Sequence, residues 1–117
     1  MKSVLIVDDS RVSRRMLRNM LEVEGYEVVG EAINGKEGFE LYTKLAPDVV
    51  AMDITMPEMN GIEALKLIKG HDPDAKVVII SAAGQKEKIE EAGIAGAAAF
   101  ITKPYDNKDI IEAINRC

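Results

Sequence analysis

The stretch Val4-Leu5-Ile6-Val7-Asp8-Asp9-Ser10 decides how this chain folds. Four apolar residues in a row, three of them β-branched, describe a strand covered on both faces, as in a parallel sheet lying between helices. The two carboxylates and the hydroxyl that follow mark the point where that strand leaves the core. Short apolar runs of the same kind recur at Val28-Val29-Gly30, Val49-Val50-Ala51-Met52, Val77-Val78-Ile79-Ile80 and Ala99-Phe100-Ile101, at intervals of roughly 21 to 28 residues. Five strands are predicted.

The intervals carry helical periodicity. Val12, Met16 and Met20, with Leu17 and Leu21, form the predicted core stripe of the first helix, which Gly25 stops. Arg11, Arg14, Arg15 and Arg18 fall largely on its other face, read here as solvated, with docking of a partner protein as the alternative. Asn34-Gly35 would signal a hairpin, but the stripe Phe39, Tyr42, Leu45 that follows makes it the opening of a second helix, ended before Pro47. Ile62, Leu65 and Ile68 mark a third helix, closed by Gly70 and Pro73. A fourth, from about Gln85 to Ile94, rests on Ile89 and Ala92 and is weakened by about 1 kcal/mol at Gly93. Asp106, as N-cap, and Asp109 open the fifth, whose apolar residues are Ile110, Ile111, Ala113 and Ile114. Strand and helix alternating five times indicate an α/β fold with a doubly wound parallel sheet and right-handed crossovers.

Composition narrows the class. A chain of 117 residues suits one domain, residues 1–117, and can bury roughly two-thirds of its surface without a disulfide or structural metal. The lone Cys117 can form no internal bridge, which suits a reducing compartment, and a cytoplasmic location is expected. The apolar run Val4 to Val7 is too short for a signal-peptide core or a membrane span, so neither export nor membrane insertion is expected. With 15 Lys and Arg against 20 Asp and Glu, the net charge of -5 disfavours direct attraction to nucleic acid or an anionic membrane. His71, in a Gly-His-Asp-Pro segment read as an exposed turn, is the sole His and has no Cys near it in sequence with which to share a metal.

In doubly wound sheets, ligands bind beyond the carboxyl ends of the strands, at the switch point of strand order. The first strand ends in Asp8-Asp9, the third in Asp53, the fourth in Ser81 and the fifth in Thr102-Lys103-Pro104; the second ends in nothing comparable. Singly, Asp9 or Ser10 could cap a helix, Ser81 could serve a turn, and Lys103 could be a loop charge. Together they bring three carboxylates, a hydroxyl and an ammonium to one crevice. Three adjacent carboxylates repel one another unless a cation neutralises them, and an all-oxygen donor set suits Mg²⁺. The chemistry implied is phosphoryl transfer, with an Asp as nucleophile and with Lys103 and the Ser81 hydroxyl on the remaining oxygens.

Val7-Asp8-Asp9-Ser10, Met52-Asp53-Ile54-Thr55-Met56-Pro57-Glu58-Met59-Asn60-Gly61, Ser81-Ala82 and Lys103-Pro104 together resemble a two-component response regulator receiver domain of the chemotaxis, CheY-like type. The likeness spans essentially the whole chain. It implies a flavodoxin-like sheet of order 2-1-3-4-5 with helices on both faces. By the same resemblance Asp53 is the phospho-acceptor, and Asp9 and Asp53 are direct Mg²⁺ ligands. Asp8 is a ligand through water, the Thr55 backbone carbonyl completes the set, and Ser81 and Lys103 hold the phosphoryl group. A cis bond before Pro104 is implied as well. Phe100 occupies the aromatic switch position, where many chemotaxis members carry Tyr, so switching with Ser81 must rest on ring packing. The bland pair Ala98-Ala99 precedes it.

The expected function is a phospho-acceptor switch and not an enzyme beyond its own phosphorylation and dephosphorylation. A histidine kinase is the donor, and a downstream protein such as a flagellar motor component or a phosphatase is the target of what should be a monomer. A receiver excised from a longer regulator is the alternative. An Asp-nucleophile phosphohydrolase would want Asp-x-Asp after the first strand, which Asp8-Asp9 is not. An FMN carrier would want a Gly, Ser or Thr cradle there, where two carboxylates would instead repel a phosphate.

Overall fold

The computed structural model describes residues 2–117. The elements run β1 (Ser3–Val7), α1 (Arg11–Val23), β2 (Glu27–Ala32), α2 (Gly35–Leu45), β3 (Val49–Asp53), α3 (Gly61–His71), β4 (Val77–Ser81), α4 (Lys86–Ile94), β5 (Ala99–Thr102) and α5 (Asn107–Asn115). The strands form one parallel sheet of order β2-β1-β3-β4-β5, the flavodoxin-like arrangement.

Because side chains alternate across a strand, the sheet divides the core in two. Leu5, Val7, Val50, Met52, Val77 and Ile79 meet α2, α3 and α4 on one face. Val4, Ile6, Val49, Ala51, Val78 and Ile80 meet Leu17 and Leu21 of α1 and Ile110, Ala113 and Ile114 of α5 on the other. The strand order reverses between β1 and β3, so the carboxyl ends of those two strands border the crevice that the topology creates.

Local signals set several element ends. Ser10 Oγ accepts from Ser13 N–H at 3.2 Å and caps α1. Asn34 caps α2 by accepting from Glu37 N–H at 2.8 Å, so Asn34-Gly35 does open a helix. Asp106 precedes α5, and its N–H donates to the Asp109 carboxylate at 3.2 Å.

Six expectations need correction. Val12 and Met16 are 68% and 63% exposed, while Leu17 and Leu21 are buried, so the core face of α1 lies one residue further round than the stripe suggests. Arg14 and Arg18 both pair with Glu31 of β2, at 3.2 and 2.9 Å, so these two are anchored to the sheet, whereas Arg11 and Arg15 are exposed as expected. α3 continues through Gly70 to His71 and stops at Asp72. His71 therefore ends a helix, and its ring meets Phe39 and Tyr42 edge to face, with centroids 6.1 and 6.5 Å apart. Leu45 lies at the exposed end of its stripe, and β2 extends beyond its apolar run to include Glu27 and Glu31. Among the described residues, no helix is long and apolar enough to cross a membrane.

Candidate functional site

Two strand ends bring the three acidic residues together. Asp8 and Asp9 follow β1 directly and Asp53 is the last residue of β3; their carboxylate oxygens lie within 4.8 Å of one another. Asp8 and Asp53 are buried and Asp9 is exposed. Burial pushes the Asp8 carboxyl above its ordinary range, against the pull of the Ser10 N–H, which donates to Oδ1 at 2.8 Å, and of the Lys103 charge. Burial likewise raises the Asp53 carboxyl, with Lys103 opposing and Asp8 adding to the rise. The cluster is thus costly to keep ionised without added positive charge.

Lys103 supplies part of that charge. It follows β5, and its ammonium reaches Asp53 Oδ2 at 3.5 Å. Its backbone N–H donates to the Ser81 carbonyl at 2.7 Å, tying it to the end of β4, and the Lys103–Pro104 peptide is cis. Ser81 is fully buried, and its Oγ is the one buried side-chain polar atom without a partner among the described residues. An unpaired buried hydroxyl costs about 1–3 kcal/mol, a cost that an incoming oxygen acceptor would remove.

Thr55 lies two residues beyond Asp53, exposed in the β3–α3 loop. Phe100 stands outside the cluster: its ring is partly exposed on β5 and faces Gly93 of α4, where a β-carbon would stand 3.5 Å from Cζ. Three contributors were not foreseen. Arg14 donates to the Asp8 carbonyl at 2.8 Å; Tyr105, half-buried, feels the charges of Asp8 and Asp53; and Gln85 links the loops after β3 and β4. The basic stripe on α1 could have pointed to Arg14, whereas no local pattern distinguishes Gln85.

Hard oxygen donors packed this closely beside an ammonium and an unpartnered hydroxyl fit a divalent cation together with a tetrahedral oxyanion. The comparisons agree with that geometry. Residues 4–115 match the response regulator receiver domain, and the chain belongs to that family. It is 52% identical to the chemotaxis protein CheY of Thermotoga maritima over 98% of this chain and 96% of that protein. To CheY of Bacillus subtilis it is 48% identical, over 97% and 94%. A solved CheX-CheY-BeF3-Mg²⁺ complex from Borrelia burgdorferi superposes with a TM-score of 0.92 at 36% identity, covering 97% of this chain and 86% of that one. CheY-like receivers are signalling proteins and not enzymes acting on a free substrate, and Mg²⁺ binding and phosphorylation are typical of the family.

Proposed function

We propose that residues 1–117 form a single receiver domain that takes a phosphoryl group from a histidine kinase onto Asp53 and thereby changes its affinity for a downstream protein. The observation that carries this reading is the close approach of Asp8, Asp9 and Asp53 with the Lys103 ammonium beside Asp53. Asp53 Oδ attacks phosphorus; the O–P bond forms as the N–P bond of the donor phosphohistidine breaks, and the departing imidazole takes its proton from solvent. Asp9 and Asp53, Asp8 through water, and the Thr55 carbonyl would hold Mg²⁺, whose charge offsets that of the carboxylates and the transferred oxygens. Lys103 then moves from the carboxylate to a phosphoryl oxygen, and the Ser81 hydroxyl donates to another.

Their displacement is relayed to Phe100 and α4. The output surface is α4, β5 and α5, and the similarity to CheY proteins favours a cytoplasmic, monomeric chemotaxis switch. A CheX-like protein fits as the partner, because the superposed complex pairs CheY with CheX, and a flagellar motor component is the alternative target. A receiver belonging to a longer regulator would use the same site.

Incubation with Mg²⁺ and acetyl phosphate, or with a phosphorylated kinase, should add one acid-stable, base-labile phosphoryl group. Uptake by Asp53→Asn at the parent rate would overturn the assignment.

A further inference from the structure

Gln85 is the N-cap residue of α4, yet its side chain makes no capping bond to the helix it opens. It reaches backwards instead. Its Oε1 accepts from Ala82 N–H at 2.7 Å, and its Nε2 donates to Thr55 Oγ1 at 3.0 Å. The orientation of the amide is not arbitrary: a backbone N–H can only donate, so the carbonyl oxygen must face Ala82, which leaves the NH₂ for Thr55. One half-buried carboxamide therefore staples the β3–α3 loop to the β4–α4 loop across the rim of the acidic cluster, and the first turn of α4 is left without a side-chain cap.

We infer that Gln85 is a positioning residue that holds the phosphoryl site in its unphosphorylated arrangement. The inference rests on the phosphoryl-transfer reading above. Ser81 Oγ is buried without a partner, and Ala82 is its covalent neighbour. Moving Ser81 towards an oxygen on Asp53 moves the Ala82 amide with it, so either the 2.7 Å bond breaks or Gln85 follows and drags the uncapped start of α4. The other end of the staple is the residue whose carbonyl is assigned to the metal. Both loops thus resist the rearrangement that the phosphoryl group demands, and release of the staple couples site occupancy to α4.

The test is Mg²⁺-dependent binding of beryllofluoride, followed by backbone amide shifts and titration calorimetry, in the parent and in Gln85→Met, Gln85→Glu, Thr55→Val and Gln85→Met/Thr55→Val. Gln85→Met removes both bonds at similar volume and should bind about three- to tenfold more tightly, the size of one net hydrogen bond. Thr55→Val, which keeps its carbonyl, should tighten binding less and add nothing to Gln85→Met. Gln85→Glu can accept from both Ala82 N–H and the Thr55 hydroxyl, so its affinity should return to the parent value or below. Loss of a merely structural side chain would weaken binding, so the sign is diagnostic.

Equal or weaker binding by Gln85→Met, or full additivity with Thr55→Val, overturns the staple. Gln85→Ala serves the same purpose should the methionine variant not fold. A parent that fails to bind beryllofluoride at all would overturn the phosphoryl reading itself, whereas a parent that binds and a matching Gln85→Met overturn only the role of Gln85.

Discussion

Gly61 leaves no room for a side chain because the backbone of Asp53 already occupies it. A β-carbon there would overlap the Asp53 carbonyl oxygen and stand 2.9 Å from its carbonyl carbon. The Gly61 N–H donates to the Ile54 carbonyl at 2.8 Å, so the first turn of α3 is pressed against the strand end that carries the Asp53 carboxylate. The obstacle is main chain and cannot swing aside. Gly61→Ala should therefore cost at least about 2 kcal/mol in urea unfolding and shift the Asp53 amide resonance. A variant as stable as the parent would show that α3 can slide away from β3.

Asp9 differs from Asp8 and Asp53 in being exposed, so its removal tests the metal site without hollowing the core. Mg²⁺ should raise the melting temperature of the parent, and Asp9→Ala should lose most of that rise. Without Mg²⁺ the same variant should melt no lower than the parent, since one of three mutually repelling carboxylates is gone. An undiminished Mg²⁺ response in Asp9→Ala would remove it from the ligand set.

Gly93 lies within α4, and a methyl group there would meet only the tip of the Phe100 ring at 3.5 Å, an ordinary contact. Gly93→Ala should then stabilise the protein by up to about 1 kcal/mol. It would also narrow the space over which the ring can turn. Amide shifts induced by beryllofluoride over residues 86–102 should shrink in this variant while those around Asp53 persist. Shifts over residues 86–102 as large in Gly93→Ala as in the parent would separate Phe100 from the switch.

Tyr42 and Asp72 join α2 to the end of α3 through a 2.7 Å bond from the phenol to Oδ2. That bond is the leading cause holding the Asp72 carboxyl below its usual range, ahead of the Asp74 N–H. A carboxyl lowered in the folded state stabilises above its unfolded value of 3.8, and the contribution is lost as pH falls through the folded value. Burial and Asp72 push the Tyr42 phenol well above its usual value, so it remains a donor throughout. Tyr42→Phe should lower the urea midpoint at pH 7 and make the further loss towards pH 3 shallower. Parallel pH profiles for the two proteins would contradict this pairing.

The strands were legible wherever burial on both faces made them continuously apolar, as in Val4–Val7 and Val77–Ile80. β2 was under-read because it is an edge strand whose Glu27 and Glu31 interrupt the apolar run. On α1 periodicity placed Leu17 and Leu21 in the core but could not exclude Val12 and Met16, which are exposed beside the Arg14 and Arg18 pairs to Glu31. The acidic cluster could be found because each member sits at a strand end, where topology alone predicts convergence. Gln85 could not, since its role depends on a hydrogen bond to a residue 30 positions away.

The 2.7 Å bond from Lys103 N–H to the Ser81 carbonyl gives the site a grammar of agreement. Ser81 and Lys103 are carried at the ends of neighbouring strands and joined main chain to main chain, so a shift of one strand end is passed to the other. A displacement of the Ser81 backbone is carried to the root of the lysine, while the long Lys103 side chain keeps its own freedom to find an oxygen.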